Sequence, residues 1–134
     1  SEEAKRLIEV TKQSFFEGLK AAVVGNRIGD ISHAIQEYVE KNGFSVVREY
    51  VGHGLGRELH EDPEVPNFGH PGRGARLVPG MTLAIEPMVN AGAVAVRQMP
   101  DGWGVKTKDG SLSAHFERSI VITTNGPVIL TDPA

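Results

Sequence analysis

Residues 52–63 read Gly52-His53-Gly54-Leu55-Gly56-Arg57-Glu58-Leu59-His60-Glu61-Asp62-Pro63, and the rest of the chain is organised around them. Two histidines stand seven positions apart, with glycines packed around the first. Gly52, Gly54 and Gly56 permit backbone conformations that a Cβ forbids and let a ligand or second backbone approach closely. A flexible surface loop is the bland alternative. A nucleotide-binding loop is the sharper one, and it fails: the third glycine of GxGxxG would fall at Arg57, and Pro63 and Pro66 oppose a following helix. Nor does His60 begin a zincin motif, because the second histidine that motif needs is replaced by Glu64.

Upstream of this loop, residues 1–23 follow a helical pattern. Ser1 can cap, Glu2 and Glu3 suit the positive end of a helix, and Leu7, Val10, Phe15, Leu19 and Ala22 form an apolar stripe. Gly25-Asn26 breaks it. Asp30 reads as the N-cap of a second helix in which Ile31, Ala34, Ile35, Tyr38 and Val39 recur at helical spacing, and Asn42-Gly43 ends that helix. Residues 44–51 are β-branched and aromatic, so a strand leads into the loop.

Downstream, Gly and Pro predict that the loop extends to residue 80, and loops of that length in compact domains are usually functional or mobile. Strands are expected over 81–89, 94–98, 103–107, 113–123 and 128–130, separated by turns at Asp101-Gly102, Asp109-Gly110 and Asn125-Gly126-Pro127. Two helices and then about six strands make an α+β domain, with helices on one face of a mostly antiparallel sheet.

Alternation along a strand assigns faces. Met81, Leu83 and Ile85 share one side, and Thr82, Ala84 and Glu86 the other. Phe116, Ile120 and Ile122 share one side, interrupted by Arg118, while His115, Glu117, Ser119 and Val121 share the other. The bulky sides suit packing on the helices, and the small or polar sides, with one glutamate each, suit a lined site. Pro87 also holds Glu86 extended. A lone strand glutamate is ordinarily a solvated residue, but these two share a chain with a histidine in a glycine loop just after a strand. His53, Glu86 and Glu117 form a nitrogen-and-carboxylate set suited to manganese, iron, cobalt or zinc. On chemistry alone, metal binding and simple solvation both stand.

Among the remaining residues, His33 reads as a surface or packing residue and His70 as an exposed loop residue. Arg57, Arg73 and Arg76 read as surface cations in preference to salt-bridge or phosphate contacts. His115 shares a face with Glu117 but is the weaker ligand candidate. Trp103, the only tryptophan, is a core plug or a pocket wall, the plug being favoured.

The composition narrows the class. A chain of 134 residues fits one domain and buries roughly two-thirds of its unfolded surface. A net charge of −3 without a Lys/Arg cluster gives no reason to expect nucleic acid. The absence of cysteine excludes disulfides, thiolate ligands and thiol nucleophiles. No apolar run approaches the ~20 residues a membrane span needs, and the charged N-terminal stretch is unlike a signal peptide, so a cytoplasmic protein is the default expectation.

At GHGLGRELHEDP (52–63), MTLAIEPM (81–88) and AHFERSIVIT (114–123) the sequence is similar to the type I methionine aminopeptidases, of the pita-bread metallopeptidase fold. NRIGDISHAIQEYVEKNGFSVVREYVGHG (26–54) and DGWGVKTKDGSLSAHFE (101–117) extend the likeness to essentially the whole chain. The resemblance implies half of a pita-bread fold and removal of N-terminal methionine from nascent proteins, by attack of a metal-bound water on the first peptide bond. It implies that His53, Glu86 and Glu117 are ligands of two divalent ions, with Glu117 bridging them. It further implies that Glu86 shuttles a proton and that His60 contacts the scissile peptide group. Trp103 and Leu59 match positions at the methionine pocket, whereas His115 matches a non-ligand position.

The family's first half supplies two further metal-binding aspartates, another histidine and most of the pocket, and Asp30, Asp62, Asp101 and Asp109 match none of them. The chain is therefore expected to be one domain over 1–134, the C-terminal half of a catalytic domain. Weak metal binding and poor cleavage alone are expected, with either a homodimer partner or a separate N-terminal half completing it. The competing reading is a non-catalytic assembly or binding module that keeps the half-fold.

Overall fold

The first helix, α1 (Glu2–Lys20), buries Leu7, Val10, Thr11, Ser14, Phe15 and Gly18, one stripe at helical spacing. The polar members of that stripe are satisfied within the helix: Thr11 Oγ1 donates to the Leu7 carbonyl at 2.7 Å and Ser14 Oγ to that of Thr11 at 2.6 Å. Gly18 lets α2 (Ile28–Lys41) approach, since a Cβ there would lie 2.7 Å from Ile35 Cγ1. The structure, a computed structural model, describes residues 2–47, 64–66, 68–91, 96–98, 105–107 and 112–130.

The second helix ends as its sequence predicts. Gly43 takes φ +87°, its N–H donates to Glu40 O at 3.0 Å, and Phe44 N–H donates to Val39 O at 3.1 Å, the paired bonds of a Schellman closure. Its beginning differs from expectation. Arg27, not Asp30, is the N-cap; Asp30 lies in the first turn and reaches back, its Oδ2 accepting the Arg27 N–H at 2.7 Å while Oδ1 accepts that of Gly72 at 2.9 Å. The helix begins a turn earlier because a distant main chain supplies the missing partners. Ile28 N–H donates to Ala75 O and Gly29 N–H to Arg73 O, at 2.9 and 2.8 Å, satisfying donors that a helix start leaves orphaned.

The strands are β1 (Ser45–Val46), β2 (Glu64–Val65), β3 (Thr82–Ile85), β4 (Met88–Asn90), β5 (Val96–Gln98), β6 (Val105–Thr107), β7 (Ser113–His115), β8 (Arg118–Thr123) and β9 (Gly126–Ile129). They form sheets ordered β1-β4-β7, β2-β3-β8-β9 and β5-β6. Among the described residues every strand pairing is antiparallel except β2 with β3, so the α+β layout with a mostly antiparallel sheet is borne out. The described residues hold more strands than expected because the predicted strands 81–89 and 113–123 are each broken once, at Glu86-Pro87 and Phe116-Glu117, and because β2 lies within the predicted loop.

Strand burial follows the predicted parity. Leu83, Ile85, Ile120 and Ile122 are buried in one core with Leu7, Phe15, Ile31, Ile35 and Val39 of the helices. Phe116 joins them, its ring 5.3 Å from that of Phe15 and 6.3 Å from that of Phe16.

Gly29 sits where α2 meets the segment that caps it. A Cβ at this position would collide with the His70 carbonyl oxygen and lie 2.8 Å from that of Arg73. Alanine gains up to ~1 kcal/mol over glycine in helix propensity, but overpacking against main chain costs about 1–3 kcal/mol. Gly29→Ala is therefore expected to lower the urea midpoint of unfolding, the reverse of what propensity predicts.

Candidate metal centre

The two strand breaks face each other. Ile85 pairs with Arg118 below them and Met88 with His115 above. The same number of residues separates the flanking pairs on both strands, so the register resumes unshifted and Glu86 falls opposite Glu117. The ladder's bonds identify the kind of pair. Ile122 N–H donates to Met81 O at 2.8 Å, Phe116 N–H to Pro87 O at 3.1 Å and Ala91 N–H to Leu112 O at 2.9 Å. Odd-numbered residues of the first strand thus carry the hydrogen bonds. Glu86 and Glu117 form an intervening pair without them, the class whose side chains approach most closely. Pro87 has no N–H to return the bond it receives, which leaves the ladder one bond short beside the carboxylates.

Both glutamates lie on the face away from the helices. Glu86 is half-buried and Glu117 exposed, whereas Leu83, Ile85, Pro87 and Val89 on the opposite side are buried. Their face carries Thr82, Ala84, Met88 and Asn90 from one strand and Ser113, His115, Ser119 and Val121 from the other, and none of these is Lys or Arg. Like charges directly opposite one another on a sheet repel, and a divalent cation between them converts that repulsion into attraction. Carboxylate oxygens are suited to such an ion.

Of the expected ligands, the structure thus brings Glu86 and Glu117 together on one face. His53, His60, Leu59 and Trp103 lie outside the described residues, as does Arg57. Among the described residues no group of three or more His, Asp or Glu is gathered for one ion. His115 is exposed, on the glutamates' face and opposite Met88. His33 sits on the surface of α2 with Nε2 3.9 Å from Glu37 Oε2, and His70 is an exposed loop residue, both as expected. Arg73 and Arg76 are exposed; it is the main chain of Arg73 that matters, through its bond to Gly29.

Arg118 was visible in the sequence only as an interruption of an apolar face. Its guanidinium lies 4.2 Å over the centroid of the Phe116 ring, and Nη1 donates to the Glu117 carbonyl at 2.6 Å. The available signal was the aromatic two positions earlier, on the same side of the strand.

Residues 1–124 match metallopeptidase family M24. The chain is 63% identical over 131 residues to the methionine aminopeptidase of Clostridium perfringens, covering 98% of this chain and 53% of that protein. It is 57% identical over 131 residues to methionine aminopeptidase 1 of Bacillus subtilis, with 98% and 53% covered. A solved methionine aminopeptidase from Streptococci superposes with a TM-score of 0.89 at 53% identity, over 100% of this chain and 47% of that one. The half pita-bread expectation agrees with this likeness. The chain spans about half the length of the curated relatives it matches.

The opposed carboxylates generate a paired expectation. Without metal, Glu117→Gln relieves repulsion and raises stability by about 0.2–1 kcal/mol, read as a higher thermal midpoint in chelator. With a divalent ion present the order inverts, the unsubstituted chain gaining more from the ion than the variant.

Proposed function

This chain belongs to metallopeptidase family M24, and from that membership we propose that residues 1–134 form one domain, the C-terminal half of a methionine aminopeptidase catalytic domain. The reading assigns the chain a share in removing N-terminal methionine from peptides and nascent proteins in the cytoplasm. The observation that carries it is the register-matched pair Glu86 and Glu117 on the face turned away from the core.

In this reading His53, Glu86 and Glu117 would hold two divalent ions, of cobalt, manganese, iron or zinc. Such ions would supply Lewis acidity toward the peptide carbonyl and toward water. The remaining work falls to the chain. The Glu86 carboxylate takes a proton from the attacking water and passes it to the departing amine. His60 donates to the scissile peptide group and steadies charge developing on it. Leu59 and Trp103 wall the methionine side chain.

Half-length coverage of the relatives supports the further proposal that the remaining ligands and most of the pocket lie outside residues 1–134. The edge strand β9 adds support. Among the described residues it ends its sheet, with Val128, Ile129 and Leu130 exposed, and such an edge favours association.

The test is a cobalt titration combined with release of methionine from Met-Ala-Ser. Binding that a chelator reverses is expected, with slow turnover by the chain alone and a large rise when an N-terminal half from a close relative is added. A chain that binds no divalent ion under any of these conditions would sink the metallopeptidase reading and leave a non-catalytic module.

A further inference from the structure

Glu117 presents its carboxylate from the break in its strand between β7 and β8. Among the described residues the last bond along the β8–β9 edge is Leu130 N–H to Ser119 O at 2.8 Å, and Glu117 O is the next carbonyl on that edge. On the other side the ladder is interrupted at Pro87. Arg118 Nη1 donates to the Glu117 carbonyl at 2.6 Å. The guanidinium is held in turn, 4.2 Å over the centroid of Phe116, and Phe116 is wedged against Phe15, which itself meets Phe16 edge-on at 5.0 Å.

We propose that Arg118 is a positioning residue for Glu117: its guanidinium, seated on Phe116, holds the Glu117 carbonyl and fixes the main chain from which the carboxylate reaches its ion. Helix α1, through Phe15 and Phe16, is thereby coupled mechanically to the metal centre. Arginine suits the task because a planar cation both stacks on a ring and donates in a fixed direction. This inference rests on the metal reading above.

The experiment measures cobalt affinity calorimetrically and the visible spectrum of the cobalt-loaded chain, neither of which requires turnover. Arg118→Met keeps the aliphatic stem and removes the donor. About a tenfold loss of affinity is expected, typical when a group orienting a ligand is removed, together with a shifted cobalt band. Arg118→Lys retains a cation over the ring and one donor, and is expected to recover most of the affinity. Ile120→Val, a core change on the same strand, is expected to lower the thermal midpoint without altering cobalt affinity.

An Arg118→Met chain with unchanged affinity and spectrum would overturn the positioning role alone, as would an equal loss in Ile120→Val. Failure of the unsubstituted chain to bind cobalt would overturn both this inference and the metal reading beneath it.

Discussion

Two acidic side chains held face to face across a pair of strands are the constraint on which this structure turns. The pairing of Ile85 with Arg118 and of Met88 with His115 leaves no freedom in the intervening register, because a slip of one residue would send every side chain to the other face. Burial enforces the same choice. With Leu83, Ile85, Ile120 and Ile122 committed to the helices, Glu86 and Glu117 have only the outward face left. The apolar core thus fixes the acidic site without touching it.

Much of this was legible in the residues. The apolar stripe of α1, the Asn42-Gly43 stop and the strand parity each follow from local rules, and each agrees with the structure. The opposed glutamates were half legible. Parity gave them their face, but their being partners depends on which strand pairs with which, and pairing is tertiary information. Asp30 shows the limit from another direction. A short acidic residue before an apolar periodic run is a sound cap signal, yet the helix extends past it because carbonyls of Arg73 and Ala75 satisfy the N–H groups of Gly29 and Ile28. No local rule reports a partner more than forty residues away. Arg118 failed for a similar reason: its role depends on the Phe116 ring being seated against Phe15 of a distant helix. The glycine-histidine loop that opened the reading, and the parts assigned to His53, His60, Leu59 and Trp103, lie outside the described residues, so their place in the centre rests on likeness to relatives.

The helices do more than cover the sheet. Phe15 and Phe16 of α1 pack against Phe116, one residue from Glu117, and α1 also reaches the far end of its neighbour, where Arg6 donates to Asn42 O at 2.7 Å. A cation at that end meets the negative pole of α2. The helical layer therefore acts as a rigid backing for the broken strands, which have fewer ladder bonds of their own where the carboxylates emerge.

The way α2 is capped has a consequence for how this region can change over evolutionary time. A helix closed by its own side chain tolerates almost any loop elsewhere, but this one borrows its closure from the main chain of residues 73–75 and holds Gly72 through Asp30. Insertions or deletions there would strand polar groups at the start of α2, so a segment that looks like free connecting chain should be as intolerant of length change as a strand. Anyone aligning distant relatives or grafting this loop should treat Gly29, Asp30 and residues 70–75 as one inherited unit.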